Sequence, residues 1–471
     1  MLGLPESSAR RRRRGAGNRD RCTGEKAKDN QMPLVDLDRF DFLYANRVKG
    51  MKTAATRDLM ATLSRPGIIS LAGGFPDTRA FGEEAFRDLS SAIARDSAQA
   101  LQYGPTGGLE GIKDVIAEVM RAEGTPADQD NVFITTGAQQ ALDLVAKVFL
   151  DEGDAILCEG PTYAGALNAF AAYRPRIAHV PMDRAGIIPS AARETLKRAK
   201  KQGLHVKFIY TVPNFQNPGG VTLAKERRRE LLDLAREFDL VIVEDNPYGM
   251  LRFEGEPLPT LAALEIEEHG DVDRVVYLGT FSKIFAPGVR LGWVHAQPGI
   301  LHKINVGKQG ADLCSSNLSQ IMITSYFQNG DWKGYVRRLN AIYKERRDAM
   351  LAALAEFMPK DVYWTHPEGG LFVWATLPSY LDATAMLPRA IAKNVAYVPG
   401  EGFYAGGEHK NNMRLNFSFV ESEKIRRGIE VLADVIRERV ELRTDLERGQ
   451  TGRKLSATNP LVQRATAGRD G

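Results

Sequence analysis

The feature that most constrains the fold is a series of short apolar runs that alternate with helical stretches. The runs occupy residues 132–135, 155–158, 206–210, 240–243 and 275–278. Continuous apolar strands separated by helices predict an α/β domain whose mostly parallel sheet is buried on both faces. Ligands of such sheets bind beyond the carboxyl ends of the strands, so the residues that follow each run are candidate functional residues.

The chain changes character after Gly307. A mostly helical stretch reaches about Phe357 and is followed by GGLFVWATL, VAYVPG and NMRLNFSFV, which predict a smaller α+β domain. In the last segment apolar and polar residues alternate, which predicts a half-buried strand with Arg414 on its polar face. We expect a disordered basic leader (1–36), an N-terminal segment that packs with the small domain (37–79), a large domain (80–306), a small domain (307–446) and a polar tail (447–471).

Positive charge is concentrated near the amino terminus. The 471 residues carry a net charge of +4, and residues 1–31 hold nine Lys or Arg against four Asp or Glu, so the remainder is close to neutral. Because the net charge of residues 32–471 is close to zero, it gives no reason to expect a nucleic-acid partner. The arginine run at 10–14 is also compatible with a nucleic-acid arm, an export signal or a nuclear address. No apolar segment follows it, which favours a disordered leader, and Met32 is an alternative start.

The three cysteines are Cys22, Cys158 and Cys314, which lie far apart. Their spacing matches neither a metal site nor a disulfide framework, so we expect reduced thiols, no metal and a cytoplasmic location. No segment has the ~20 apolar residues needed to span a membrane. The sequence therefore predicts a soluble protein without a membrane partner.

A glycine turn follows the first apolar run. Gly137, Ala138 and Gln139 connect that run to a helical stretch. The amide groups and the positive dipole end of such a helix suit a phosphate. Most strand-glycine-helix turns are structural, so this motif alone does not decide between the two interpretations.

The next three runs end in residues of different chemistry. Tyr163 can lay a ring over a flat ligand, and Asn217 offers an amide within a Pro/Gly-rich turn. Asp245 stands at the mouth of a buried strand, where an unpaired carboxylate is costly and calls for a cationic partner. A packed surface tyrosine, an ordinary turn and a helix-capping aspartate are the competing interpretations.

The stretch GTFSKIFAPGVRLGW ends the fifth run. It places Thr280, Ser282 and Lys283 directly after residues 275–278, and Arg290 follows seven positions after the lysine. A solvated lysine is the ordinary interpretation of one such residue. Five successive strand ends that carry a phosphate-type turn, a ring, an amide, an acid and an amine are much rarer by chance, which favours one shared site.

These motifs resemble those of the pyridoxal-phosphate enzymes of fold type I, and in particular the class I/II aminotransferases. The resemblance rests on QYGPTGG, TTGAQQ, GPTY, PNFQNPGG, EDNPYG, TFSKIFAPGVRLGW and NMRLNFS and covers about residues 40–440. LAGGFPD and TRDLM resemble the 2-aminoadipate and kynurenine aminotransferase-like subgroup. The resemblance implies a large domain with a mostly parallel seven-stranded sheet, a smaller α+β domain, and transfer of an amino group from an L-amino acid to a 2-oxo acid such as 2-oxoglutarate with pyridoxal 5'-phosphate as cofactor.

The resemblance also implies roles for individual residues. Lys283 forms the imine with the cofactor and, once released, carries the proton of the substrate α-carbon, while Asp245 keeps the ring nitrogen protonated and Tyr248 bonds the ring hydroxyl. The further cofactor contacts it implies are Asn217 and Tyr163 at the ring, Thr280, Ser282, Arg290 and the backbone of Gly137, Ala138 and Gln139 at the phosphate, and Tyr103 from the neighbouring subunit of a homodimer.

Substrate contacts follow from the same resemblance. Arg414 grips the α-carboxylate, with Asn217 beside it, and Gly74 leaves room for the substrate backbone. Arg57 meets a distal carboxylate, which favours 2-aminoadipate or glutamate. A solvated Arg57 is equally compatible with the sequence, and aromatic or branched donors then fit as well.

Two other functions remain compatible with parts of the sequence. A lyase or decarboxylase of the same fold would use the same cofactor residues. A ligand-sensing regulator would need a DNA-binding domain ahead of the core, and residues 1–39 are too short and too polar to supply one.

Overall fold

A computed structural model describes residues 40–49, 51, 67–81 and 83–456. The chain forms two units, residues 1–45 and 46–471. In the first unit, the described residues contain a 3₁₀ helix at Asp41–Leu43. All the strands and α-helices named below belong to the second unit.

The largest element is an eight-stranded sheet whose strands lie in the order β2-β9-β8-β7-β6-β3-β4-β5. Its neighbours from β8 to β4 are parallel, whereas β9 and β5 are antiparallel to the strands beside them. The strands of the second unit are β1 (Ile69–Ser70), β2 (Val132–Thr135), β3 (Ala155–Gly160), β4 (Arg176–Asp183), β5 (Gly186–Ile187), β6 (Val206–Thr211), β7 (Val241–Asp245), β8 (Val275–Thr280), β9 (Gly292–His295), β10 (Tyr363–Trp364), β11 (Phe372–Thr376), β12 (Val395–Ala396), β13 (Val398–Pro399) and β14 (Asn412–Asn416).

The predicted α/β fold with a mostly parallel sheet is confirmed, and so are the five strands expected from the apolar runs. The two faces of the sheet are both buried: Phe208 and Val243 pack in one apolar cluster, and Ile209 and Ile242 pack in another. The implied count of seven strands was one too low, because the chain turns back after β4 to form the two-residue strand β5.

Helices cover both faces of the sheet and build the carboxyl-terminal region. The helices of the second unit are α1 (Asn46–Lys49), α2 (Glu83–Arg95), α3 (Ser97–Ala100), α4 (Glu110–Ala122), α5 (Ala138–Phe149), α6 (Ala164–Ala171), α7 (Pro189–Lys201), α8 (Lys225–Phe238), α9 (Leu261–His269), α10 (Pro298–Gln309), α11 (Asn317–Asn329), α12 (Trp332–Phe357), α13 (Ala383–Ala392) and α14 (Ser422–Ser456). None of the helices in the described part of the chain is long and apolar enough to cross a membrane.

A four-stranded sheet in the order β10-β11-β14-β13 forms after α12, and β1 pairs with β12. Every residue of β14 is buried. The expectation of a half-buried strand was therefore wrong: apolar residues cover one face, and Arg414 on the other face is enclosed by Phe372 and Phe403 instead of solvent. The boundaries 80–306 and 307–446 stay our proposal for two domains. Helix α14 runs to Ser456, into the segment expected to be a polar tail.

The extended segment 71–77 is held by a buried ion pair. Asp77 accepts hydrogen bonds from Arg346 Nη2 at 2.8 Å and from Arg79 Nε at 2.8 Å, and its amide donates to Tyr343 Oη at 2.8 Å. Asp77 and Arg346 are almost fully enclosed, with side chains 5% and 9% exposed. Since Arg346 and Tyr343 belong to α12, this contact fixes segment 71–77 against the carboxyl-terminal region.

Replacing Asp77 with alanine should lower the free energy of unfolding by about 3 kcal/mol, because it leaves the buried guanidinium of Arg346 without its partner. Glu356→Ala is the control, since Glu356 pairs with Arg426 where both side chains are half exposed and solvent screens the charges. Urea denaturation followed by circular dichroism measures both. Equal effects of the two substitutions would contradict the role of the buried pair.

Candidate active site

A cavity of about 950 Å³ opens where β6, β7 and β8 end, next to the start of α5. This is the edge of the sheet at which the sequence predicts a site. Of the predicted residues, the cavity is lined by Gly74, Ala138, Gln139, Tyr163, Asn217, Asp245, Tyr248, Thr280, Ser282, Lys283, Arg290 and Arg414.

Lys283 lies three residues beyond the last residue of β8, with its side chain inside the cavity. Its Nζ donates a hydrogen bond to the carbonyl oxygen of Gly74 at 2.8 Å. Desolvation, with a smaller effect of the nearby cations Arg414 and Arg290, lowers the pKa of Lys283 from 10.5 to about 8. An amine with this pKa is partly neutral near physiological pH, as a nucleophile or a proton carrier must be.

Asp245 is the last residue of β7 and is 3% exposed. Tyr210 Oη donates to its Oδ2 at 2.7 Å, whereas its buried Oδ1 has no hydrogen-bond partner among the described residues. Burial raises the pKa of Asp245 to about 6, and the bond from Tyr210 opposes that rise. An unpaired buried acceptor on a cavity wall calls for a donor from a ligand, and a cationic N–H satisfies it best.

The turn between β2 and α5, which we call the anion cup, has the chemistry of an anion site. Gly137 has φ of +77°, and a Cβ on it would lie 2.5 Å from Nη2 of Arg290, so the guanidinium lies close to the backbone of the turn. The first amides of a helix have no intrahelical acceptor and are available to an anion. Thr280 Oγ1 donates to Ser282 Oγ at 2.9 Å on the same part of the cavity wall.

Arg414 is enclosed although it carries a charge. Nη1 donates to Asn217 Oδ1 at 2.9 Å and Nη2 donates to the carbonyl oxygen of Ala72 at 2.8 Å, while its buried Nε has no partner among the described residues. The guanidinium lies 4.2 Å from the ring centroid of Phe372 and 5.2 Å from that of Phe403. Burial lowers the pKa of Arg414 to about 10. A carboxylate ligand would supply the countercharge that this arginine lacks.

Two phenols complete the polar wall. Tyr248 Oη accepts a hydrogen bond from Asn217 Nδ2 at 3.3 Å, which joins Tyr248 to Arg414 through one amide. Tyr163 Oη donates to Gln139 Oε1 at 3.4 Å. Burial raises the pKa of both phenols, so both stay protonated at neutral pH.

Two predicted residues in the described part of the chain do not line the cavity. Gly137 lies next to Arg290, which does line the cavity. Tyr103 is 77% exposed and lies away from the cavity of its own chain. Arg57 lies outside the described residues.

The sequence interpretation missed Tyr210, Phe372 and Phe403. Tyr210 is one of the apolar-run residues, and in the parallel pairing of β6 with β7 it lies opposite Val243, two residues from Asp245 and on the same face. Once the strand order is known, a tyrosine two positions out of register with a buried acid on the neighbouring strand predicts a hydrogen bond between the two side chains. The two phenylalanines come from the small sheet and the loop before β14, and their sequence gives no sign that they face an arginine.

Comparison with known proteins gives the same family in three ways. Residues 67–432 match the family model for aminotransferases of class I and II. The aromatic-amino-acid aminotransferase 1 of Thermococcus litoralis is 45% identical over 410 residues, which is 87% of this chain and 96% of that protein.

Two solved structures are also similar. One is the kynurenine aminotransferase of Pyrococcus horikoshii in complex with PMP, with 44% identity and a TM-score of 0.81 over 86% of this chain and 99% of that one. The other is the alpha-aminoadipate aminotransferase of Thermus thermophilus in complex with N-(5'-phosphopyridoxyl)-L-leucine, with 37% identity and a TM-score of 0.79 over 86% and 99%.

Lys283 should react with a small acylating reagent with a midpoint near pH 8, because its lowered pKa makes the neutral amine available from about that pH upward instead of near 10.5. Peptide mapping by mass spectrometry across a pH series, on protein stripped of cofactor, measures the midpoint. Arg414→Met removes one of the cations and should raise it. A midpoint near 10.5 in the unaltered protein would contradict the assigned environment.

Proposed function

Because this chain belongs to the class I and II aminotransferases, we propose that it takes L-amino acids with large apolar side chains as donors and 2-oxoglutarate as acceptor. Its reaction is transamination, the transfer of an amino group from an amino acid to a 2-oxo acid, with pyridoxal 5'-phosphate as cofactor. A lyase or decarboxylase activity is not what its relatives are named for.

The apolar wall of the cavity carries the proposal on the donor. The cavity lining includes the apolar residues Met51, Phe75, Leu142, Ala169 and Ala172, together with the polar residues Asp143 and Asn168. Among the described lining residues, every cation is one of Lys283, Arg290 and Arg414, and each has another role here. Burying an apolar side chain against such a wall contributes about 25 cal/mol for each Å² removed from water.

The described residues fit the cofactor. Asp245 would hold the protonated ring nitrogen through its unpaired Oδ1, Tyr248 and Asn217 would hold the ring hydroxyl, and Tyr163 would cover the ring. The phosphate would enter the anion cup of Gly137–Gln139, Thr280, Ser282 and Arg290. When bound, pyridoxal 5'-phosphate supplies an electron sink for the electron pair left at the substrate α-carbon.

The protein residues orient the substrate and move its proton. Arg414 Nε and the Asn217 amide bind the α-carboxylate, which fixes the α-carbon relative to Lys283. The neutral Nζ of Lys283 would remove the α-proton, hold it as an ammonium and give it up again within the same site, which its pKa of about 8 permits near neutral pH. The unpaired carboxylate of Asp245 keeps a positive charge stable at the far end of the site.

We also propose a homodimer in which Tyr103 of each subunit reaches the phosphate in the other. Its 77% exposure, beside Leu101 at 80%, supports a contact surface at this loop.

Cys158 and Cys314 are free thiols, which supports the proposal of a reducing cytoplasm.

Lys283→Ala should lower the turnover number by on the order of 10⁴-fold, because the same amine tethers the cofactor and carries the proton. Absorbance of the purified variant, compared with wild type, measures whether the cofactor is still covalently attached. Lys225→Ala is the control, since Lys225 is exposed at the start of α8. A Lys283→Ala variant with wild-type turnover would rule out the assignment.

Donor choice is tested with phenylalanine, leucine, glutamate and 2-aminoadipate, in wild type and in Arg57→Ala. We expect phenylalanine and leucine to be good donors in both proteins. A guanidinium at Arg57 that binds a distal carboxylate should make kcat/KM for glutamate and 2-aminoadipate fall by about 10- to 100-fold in the variant, which is the strength of a charge-assisted bond.

The control for this panel is Arg121→Ala, which removes an exposed arginine of α4. Equal changes for all four donors in Arg57→Ala would show that Arg57 does not bind a distal carboxylate. Poor turnover of both phenylalanine and leucine in wild type would overturn the proposal of apolar donors.

A further inference from the structure

An ion pair whose lysine is fully buried lies behind the anion cup, and neither of its residues lines the cavity. Its carboxylate, Asp312, is 29% exposed. Lys308, near the end of α10, has a side chain that is 0% exposed. Its Nζ lies 2.7 Å from Asp312 Oδ1 and 2.8 Å from Oδ2. A buried ammonium is costly to desolvate, so Lys308 depends on the hydrogen bonds that its neighbours accept from it.

The same two residues bond the turn that forms the cup. Asp312 Oδ2 accepts from Thr136 Oγ1 at 2.7 Å and from Gln140 Nε2 at 2.7 Å. Gln140 Oε1 in turn accepts from Lys308 Nζ at 2.8 Å and from the amide of Thr136 at 2.7 Å. Ser315 Oγ lies 3.0 Å from Thr136 Oγ1.

These bonds enclose the turn from both sides. Thr136 precedes Gly137, and Gln140 lies in the first turn of α5. The hydroxyl of Thr136 is therefore bound by Asp312, and its amide is bound by Gln140. Burial would raise the pKa of Asp312, but the hydrogen bonds from Lys308, Thr136 and Gln140 lower it, which keeps the carboxylate ionised as an acceptor.

Gly137 explains why the turn needs external support. Its φ of +77° is a conformation that residues with a Cβ rarely adopt, and glycine has the largest conformational freedom to lose on ordering. An anion cup works only if its amides are already aligned when the anion arrives. Thr136 and Gln140 fix the residues on both sides of this glycine.

We propose that Lys308 and Asp312 are positioning residues that align the Thr136–Gly137 turn for the phosphate group of the cofactor. The inference rests on the phosphate assignment made under Proposed function. Neither residue lines the cavity. They act through Thr136 and Gln140, so their effect falls on the phosphate and leaves recognition of the ring unchanged.

The test compares two ligands that differ only in the phosphate. The cofactor is first removed from the full-length protein, which is then titrated with pyridoxal 5'-phosphate and, separately, with pyridoxal. Thr136→Val removes the hydroxyl that Asp312 binds, at nearly constant volume. The dissociation constant for pyridoxal 5'-phosphate should rise about fivefold or more, the effect of one hydrogen bond to a charged acceptor, while that for pyridoxal stays within twofold. Thr136→Ser keeps the hydroxyl and should keep the affinity.

The double variant Lys308→Met with Asp312→Leu removes both charges together, so that neither is left unpaired in the interior. It should show the same selective loss for the phosphorylated ligand. The matched control is Lys197→Met with Glu194→Leu, a helical lysine–acid pair with side chains 50% and 72% exposed, which should change neither constant. If the double variant does not fold, Thr136→Val decides.

Equal loss of both ligands in Thr136→Val, or unchanged affinity for both, overturns the proposal. Arg290→Ala separates this failure from failure of the phosphate assignment. If Arg290→Ala selectively weakens pyridoxal 5'-phosphate and Thr136→Val does not, only the positioning role fails. If Arg290→Ala affects neither ligand selectively, the cup assignment fails and the positioning proposal fails with it.

Discussion

The site depends on the cost of holding charge at the end of an apolar sheet. Asp245 and Arg414 are almost fully buried, and neither has an opposite charge within hydrogen-bond distance among the described residues. Desolvation raises the pKa of the acid and lowers that of the arginine. Lys283 shares this environment, and its amine is easier to deprotonate for the same reason. A zwitterionic ligand and a charged cofactor complete the charge balance that the protein alone leaves open.

The rigidity of the apolar sheet makes this arrangement possible. β6, β7 and β8 are parallel and adjacent, so their carboxyl ends place Asp245, and Lys283 three residues beyond β8, at one edge of the sheet. Other parts of the wall come from residues 72–76, from α5 and α6, and from Arg414 of β14. The buried ion pair of Asp77 with Arg346 holds segment 71–77 in place, whereas β14 is held by its own four-stranded sheet.

The sequence predicted the parts of the site that follow from local pattern. The strands, the turn at Gly137 and the positions of Asp245 and Lys283 follow from apolar runs and the residues that end them. Tyr210 could not be recognised in the same way, because its importance depends on which strand lies beside β6. The environment of Arg414 was misjudged for a related reason: alternation along one strand says that two faces differ, but aromatic rings from elsewhere decide whether the polar face meets water. Long-range packing is absent from a single sequence.

One backbone segment accepts hydrogen bonds from two cationic side chains of the cavity, Arg414 and Lys283. The carbonyl of Ala72 accepts from Arg414, and the carbonyl of Gly74 accepts from Lys283. Two residues of chain span at most about 7 Å, so the covalent length of the backbone sets an upper limit on the separation of these acceptors. The covalent length of the backbone thereby limits how far apart Lys283 Nζ and Arg414 Nη2 can lie, and side-chain substitutions elsewhere in the cavity leave that limit unchanged.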